Sequence, residues 1–315
     1  MPQVAWIVPI LNGMPHLPAA LASLEAQTFR DFEVLVWENG STDGTLEVLR
    51  EWIPNRLPGR IITGEPHSLG NSLRRLAEVA EAPFLARMDA DDICQPERLA
   101  VQVAFLQAHP EFGLVASDRI CMDENGNDVD ARSSYPLAPE DILHATLRAP
   151  RIVHPTVLVR REALMAAGNY RDLSSPDCAY WSEDYDMWLR FLAKYRAIAL
   201  PEKLLRYRYN PQGLTENEMR KNRAATARRG AWKANAADFA GITCEKTALR
   251  LWEKQLPVAL PTLHRIAAHF ARRDGISPAK RWGLESFRKA AQSFVGRHDI
   301  VSRLWLKLVP RLSRS

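Results

Sequence analysis

The chain has 315 residues, 46% hydrophobic and 25% charged, which suits one domain of about 200 residues with a smaller piece and excludes disorder, collagen-like repeats and a disulfide scaffold. Its four cysteines, Cys94, Cys121, Cys178 and Cys244, form no C-x-x-C pair and read as reduced thiols without a metal or redox role. The net charge of +5 conceals an asymmetry: residues 1–218 carry 21 Lys/Arg against 31 Asp/Glu, and residues 219–315 carry 21 against 6.

In chain order, the apolar run Val4 to Ile10 opens the series of expected buried strands, followed by Phe32 to Trp37, Arg60 to Thr63, Phe84 to Met88 and Gly113 to Ala116. Between them, helical periodicity covers Leu17 to Ala26, Thr45 to Ile53, Leu69 to Val79 and Pro96 to Ala108, with Pro96 expected at the first helical position. Such alternation predicts an α/β fold with a mostly parallel sheet covered on both faces. The stretch from Met122 to Ser182 is rich in Asp, Asn, Pro and Gly, with a polar hairpin around Gly126, a short strand at Thr156 to Val159 and a helix at Arg161 to Ala166. A helix from Glu183 to Lys194, capped by Ser182, and strands at Ile198 to Leu200 and Leu204 to Tyr207 complete the first part. Beyond it, 217–237, 245–255, 261–273 and 277–294 read as basic helices, and the charge change near Glu218 marks a boundary: 1–218 as one domain, 219–315 as a basic helical C-terminal region. The run Val4 to Leu11 is too short and lacks the basic flank of a signal peptide or spanning helix, so a cytoplasmic protein is expected.

Three acidic or polar groups stand where chemistry is expected. Asp89, Asp91 and Asp92 directly follow the strand Phe84 to Met88, the position at which an open parallel sheet binds ligands. Clustered carboxylates repel unless a cation compensates, and hard oxygens suit Mg2+ or Mn2+ bridging to phosphates; a helix cap by Asp91 or Asp92 is the plainer alternative. Glu38-Asn-Gly-Ser-Thr-Asp-Gly44 also joins a strand to a helix; its amides can approach a ligand and Glu38 can accept from a base or ribose, or the loop is a turn capped by Asp43. Glu183-Asp184-Tyr-Asp186 opens a helix, where acids complement the dipole and where a carboxylate can equally serve as a general base. Arg151, Arg160 and Arg161 are available to phosphates, with Arg160 and Arg161 placed at a strand end with solvated heads.

Together with Val8-Pro-Ile-Leu-Asn12, Leu24 to Glu33, Pro96-Glu-Arg-Leu99, Gln102, His109-Pro110, His154-Pro-Thr156 and Tyr207-Arg208, these motifs make the first 215 or so positions resemble the family-2 glycosyltransferases, inverting enzymes of the GT-A fold that use nucleotide-diphosphate sugars. The resemblance implies that Pro9, Leu11 and Asn12 border the nucleotide, that Glu38 contacts base or ribose, and that Asp89 lies near the ribose. It makes Asp91 the main metal ligand, with Asp89 beside it, and Asp92 a support for donor sugar or loop. Asp184 becomes the catalytic base, positioned by Glu183 and Trp188. His154, a lone histidine before proline, reads as a hydrogen-bonded loop residue or as a lining of the acceptor or donor pocket. The implied cofactor is Mn2+ or Mg2+, the donor a UDP-sugar ahead of other nucleotide sugars, and the acceptor a glycan or lipid-linked saccharide in bacterial-type surface polysaccharide synthesis.

Three positions depart from the family's pattern. Glu38-Asn39 replaces a pair of acids, Ser68-Leu-Gly70 with Leu76 replaces asparagines flanking a glycine, so that only Gly70 is carried over as a donor contact, and Asn210, a candidate metal ligand through its side-chain oxygen, stands where many members place a histidine near the metal or phosphate. The aromatic and basic residues of 261–309 suit the interface of an anionic membrane, giving a peripheral protein at its inner face, or pack on the first domain. No nucleic-acid motif is present, and the acidic first part opposes such a partner. A nucleotidyltransferase would show a glycine-rich basic loop where this chain has Asn12-Gly-Met. A catalytically silent membrane- or partner-binding module of the same fold is the remaining alternative. The oligomeric state is open.

Overall fold

The computed structural model describes residues 1–129, 142, 146, 151–172, 183–192 and 194–209. The chain divides into two compact units, Met1–Arg228 and Arg229–Ser315, and the described residues all belong to the first. The helices expected beyond 217, the cap Ser182, Asn210, Cys178, Cys244 and the basic region lie outside the described residues.

Nine strands among the described residues form one sheet: β1 (Val4–Ile10), β2 (Phe32–Glu38), β3 (Gly59–Thr63), β4 (Phe84–Arg87), β5 (Ile93–Cys94), β6 (Phe112–Met122), β7 (Asp128–Val129), β8 (Leu158–Arg160) and β9 (Arg196–Arg208). Their order is β3-β2-β1-β4-β8-β6-β9-β5, with β7 on β6. The long pairings, β3–β2–β1–β4 and β6–β9, are parallel; the antiparallel ones involve two or three residues each. The mixed α/β architecture with a mostly parallel sheet is therefore present.

Helices cover both faces, as the uninterrupted apolar strands require. Alternation along β1 sends Trp6, Val8 and Ile10 into one core and Ala5 and Ile7 into the other; β2 divides Val34 and Val36 from Leu35 and Trp37 in the same way. The first core is closed by α1 (Leu17–Glu25), α2 (Thr45–Trp52) and α4 (Arg98–Ala108). The second is closed by α3 (Leu69–Val79), α5 (Arg161–Ala166) and α6 (Glu183–Leu192), which contributes Met187, Trp188 and Phe191.

Several boundaries move for identifiable reasons. Pro96 lies before α4, whose first residue is Arg98, because the Pro96 carbonyl accepts the Thr28 amide at 2.8 Å and the Gln95 carbonyl accepts Arg98 N at 3.1 Å. The two strands expected at 198–200 and 204–207 are one, β9; Pro201 and Glu202 are absorbed where the register slips between Ser117↔Leu200 and Asp118↔Lys203. Residues 154–156 form a 3-10 turn rather than the start of a strand, so β8 begins at Leu158. The hairpin around Gly126 (φ +86°) joins β6 to β7. No helix among the described residues is long and apolar enough to cross a membrane.

Candidate active site

Parallel neighbours β2, β1 and β4 end side by side, Ile10 opposite Glu38 and Ile7 opposite Arg87, so the loops that follow them meet. The first two are stitched together: Asn12 N donates to Ser41 Oγ at 2.9 Å, Gly13 N to Thr45 Oγ1 at 2.8 Å, Met14 N to Asp43 Oδ2 at 2.9 Å and Thr42 N to Asn12 Oδ1 at 3.0 Å. Asn12 takes a left-handed conformation (φ +53°) that short polar side chains tolerate. A Cβ at Gly13 would lie 3.4 Å from the Ala90 side chain, which brings the third loop against the first. Pro9 is half-buried near the end of β1, and Leu11 is 57% exposed just beyond it.

Glu38 turns into its own loop, Oε1 accepting Ser41 N at 2.6 Å and Oε2 accepting Gly40 N at 3.2 Å. Asn39, one of the departing residues, grips the next loop: its side chain donates to the His67 carbonyl at 2.7 Å and accepts the His67 amide at 2.6 Å, while the His67 ring stacks on Trp37. Asp43 accepts Thr45 N at 3.1 Å, consistent with a cap-like turn, although the residue at the helix cap itself is Gly44 (φ +91°). Against the opposing effect of burial, the Thr45 hydroxyl and then the Met14 and Thr45 amides hold the Asp43 carboxyl below its usual range.

The acid loop does not cap α4: that helix starts after Glu97 with no side-chain cap, and Asp92 instead accepts the Arg208 amide at 2.8 Å. One oxygen each from Asp89, Asp91 and Asp92 lies within 4.8 Å of the others. Burial, then the charge of Asp89, pushes Asp91 up to about 6; burial and the Asp89 and Asp91 charges push Asp92 well above the ordinary carboxylate range. Asp92 is fully buried, and its Oδ2 has no hydrogen-bond partner. Three convergent hard oxygens, mutually repelling and including an orphaned one, fit a divalent cation of the Mg2+ or Mn2+ type.

Two arginines that composition alone would have left on the surface fix this loop. Arg98 is fully buried over the Trp6 ring and donates to the carbonyls of Arg87 (2.9 Å) and Val157 (3.2 Å) and to Gln102 Oε1 (3.1 Å). Arg208 donates through Nε to the Asp91 carbonyl at 2.9 Å and through Nη1 to the Asp123 and Glu124 carbonyls at 3.0 and 2.8 Å. The buried Gln27 links the end of α1 to α4, donating to the Gln95 carbonyl at 2.8 Å and accepting Leu99 N at 3.1 Å. The motifs around Gln27, Arg98, Gln102 and Arg208 are thus the scaffold of the acid loop. Arg160 and Arg161 spend their guanidinium groups on the backbone carbonyls of Phe112, Leu106, Ala77 and Glu78 instead of leaving solvated heads.

The second acidic group comes from the first turn of α6. Asp184 Oδ1 accepts the Tyr185 amide at 2.6 Å, the helix start supplying the donor. Burial pushes its carboxyl up to about 6, and burial with the Asp184 charge pushes Glu183 up to about 8. The charges of Arg87 and Asp89 both act on this pair, which puts it within electrostatic reach of the acid loop. Gly70 has a packing reason: a Cβ there would meet the Arg171 carbonyl oxygen at 2.5 Å and the Glu183 Cβ at 3.1 Å. Ser68 caps α3 by accepting Asn71 N at 3.3 Å. His154, with Nδ1 3.7 Å from Glu183 Oε1, and Trp188 are buried, ring edge to ring face with centroids 5.6 Å apart.

Arg87 is not among the site residues that the sequence motifs single out. Its buried guanidinium pairs with Asp89, and Nε has no hydrogen-bond partner. Burial opposes its charge, but the Asp89 carboxylate prevails and holds it protonated. The signal was its place, the last residue of an otherwise apolar strand, where the side chain has no room to reach solvent.

The sequence profile described as Glycosyl transferase family 2 matches residues 5–167, just over half of the chain. The amylovoran biosynthesis glycosyltransferase AmsE of Erwinia amylovora is 31% identical over 195 residues, 61% of this chain and 70% of that protein. Among solved structures, residues 1–349 of S. aureus TarS in complex with UDP-GlcNAc superpose with a TM-score of 0.60 at 18% identity, covering 91% of this chain and 81% of that one. The mannosyltransferase PcManGT of Pyrobaculum calidifontis, in complex with GDP-Man and Mn2+, gives a TM-score of 0.57 at 20% identity, covering 100% and 81%. These two likenesses show the fold, GT-A. Because the profile match runs from β1 through α5 and takes in all three strand-end loops, the chain belongs to glycosyl transferase family 2.

Proposed function

We propose that this glycosyltransferase moves a sugar from a nucleotide-diphosphate donor, a UDP-sugar first among them, to a hydroxyl of a glycan or lipid-linked saccharide, with inversion at the anomeric carbon. The observation that supports the reading is a pair of unlike acidic groups within electrostatic reach of each other: the convergent Asp89, Asp91 and Asp92 oxygens, and the buried Asp184 carboxyl on which the Asp89 charge acts. The first suits a cation and a diphosphate. The second suits proton removal.

Asp89, Asp91 and Asp92 would hold the metal; a divalent cation there supplies Lewis acidity that neutralises charge on the departing nucleoside diphosphate. The first loop at Pro9, Leu11 and Asn12, with Glu38 and Gly70, borders the donor. Asp184 takes the proton of the acceptor hydroxyl as that oxygen forms its bond to the anomeric carbon and the bond to the diphosphate oxygen breaks. One displacement from the opposite side inverts the centre without an enzyme-bound sugar. The nucleotide-sugar complexes of the fold neighbours support the donor class, and the name of AmsE supports a polysaccharide product.

Calorimetry and nucleoside diphosphate release with UDP-, GDP- and dTDP-sugars, in Mn2+, Mg2+ or EDTA, test this. Metal-dependent binding and slow hydrolysis of one donor are expected, with Asp91→Ala weakening binding and Asp184→Asn sparing binding while abolishing turnover. Normal turnover by Asp184→Asn excludes it as the base. We further assign 1–218 to the catalytic domain and 219–315 to a basic region that contacts anionic surfaces, supported by its 21 Lys/Arg against 6 Asp/Glu. Absence of binding to anionic vesicles at low salt would refute that assignment.

A further inference from the structure

Behind Glu183 stands a buried polar column that proton removal by Asp184 does not itself use. It begins at the end of α5, where Gly168 (φ +93°) and Asn169 (φ +53°) both turn left-handed and their amides return to the Met165 and Leu164 carbonyls. The Asn169 side chain accepts the Tyr170 amide at 2.7 Å and donates to the Arg74 carbonyl of α3 at 3.2 Å. Tyr170 is thereby turned inward and buried, with Oη 2.8 Å from His154 Nε2. His154 in turn presents Nδ1 to Glu183 Oε1 at 3.7 Å.

Burying polar groups costs more than an apolar filling unless they are hydrogen-bonded, and Asn169, Tyr170 and His154 are. What they abut is the first turn of α6. Asp184, its second residue, accepts a hydrogen bond from its own helix, whereas the neighbouring Glu183 is wedged between the surface of α3 at Gly70 and the His154 ring. Burial and the Arg87 cation keep His154 neutral, and burial keeps the Tyr170 hydroxyl protonated, so the Tyr170–His154 contact is one directional hydrogen bond between neutral groups. Such a bond fixes the plane of the imidazole, and therefore the wall against which Glu183 rests.

We propose that Tyr170 and His154 are positioning residues for the base: Tyr170 orients His154, and His154 sets Glu183 and with it the Asp184 carboxylate. The inference rests on Asp184 being the base.

The test uses the full chain and the UDP-, GDP- or dTDP-sugar that wild type hydrolyses in Mn2+, with nucleoside diphosphate release as readout. His154→Phe is expected to lower kcat by about ten- to a hundredfold, the scale of a displaced reacting group, with donor KM within about twofold. Tyr170→Phe, which deletes one oxygen, should lower kcat in the same sense. His154→Gln, which retains a donor and an acceptor, should recover most of the loss. Unchanged kcat in Tyr170→Phe and His154→Phe, a rise in KM that accounts for the whole effect, or equal losses in His154→Gln and His154→Phe would each overturn the proposal. If His154→Phe does not fold, Tyr170→Phe and His154→Gln decide. A wild type that hydrolyses no donor, or an Asp184→Asn variant with wild-type turnover, overturns the functional reading and this inference with it; an inactive Asp184→Asn beside unaffected His154 variants overturns this inference alone.

Discussion

Glu183 and Asp184 are adjacent in the chain, yet their surroundings separate them: burial brings one to about 8 and the other to about 6. Both carboxyls are raised by burial, and the Asp184 charge raises Glu183 further, so Glu183 is the one that holds its proton to higher pH, the order that a base and its support require. Because the base must be deprotonated, kcat/KM is expected to fall as pH drops through about 6; the limb belongs to the coupled pair, and an Asp184→Asn control loses it with the activity. A pH–rate profile flat down to pH 4 would contradict this assignment. Glu183 also makes a stability prediction. Its folded value, about 8, exceeds its ordinary 4.5, so the stability it contributes is fully present below about 4.5 and lost as pH rises through about 8. Glu183→Gln should therefore match wild type in thermal midpoint at pH 5 and exceed it at pH 9. An offset independent of pH would mean that the carboxyl is not the titrating group.

At the scale of elements, buried polar side chains hold the strand ends in register. Arg98 joins α4 to the carbonyls of Arg87 and Val157, immediately before the acid loop and after the His154 turn. Arg98→Met keeps the apolar stem but strands those acceptors, and a loss of about 2–4 kcal/mol in urea unfolding is expected. Less than about 0.5 kcal/mol would show that the carbonyls find other donors. Gly70 is the corresponding contact between α3 and α6. The first atom of any side chain there meets the Arg171 carbonyl, backbone that does not yield cheaply, so Gly70→Ala should cost about 1–3 kcal/mol and reduce turnover together with stability. Unaltered stability would show that the helix pair is looser than the structure has it.

At the scale of the whole molecule, a site assembled from residues as far apart as Asn12 and Arg208 exists only in the folded chain, so a ligand that binds it must stabilise the fold. Mn2+ at a hundred times its dissociation constant is expected to add about 2.7 kcal/mol to wild-type stability, and clearly less to Asp92→Asn, which lacks the orphaned carboxylate. Equal thermal shifts in both would remove Asp92 from the cation's surroundings. The alternation of strand and helix, the acid loop at a strand end and the family motifs were legible because each is local: apolar periodicity and short-range spacing are properties of consecutive residues. The helix α3 was read to its last residue, Leu69 to Val79, for that reason. The column Tyr170–His154–Glu183 and the carbonyl clamp of Arg98 were not legible, because the contacts that bury them join residues 11 to 59 positions apart, and the pairing of Arg87 with Asp89, though local, was not legible because its burial is not. By itself the sequence determined the layered architecture, the family and the acids to which the chemistry is assigned in the proposed function. Only tertiary structure decided which of those acids are buried, which polar groups hold them and which protons they keep, since desolvation and hydrogen bonding arise from neighbours in space and not along the chain.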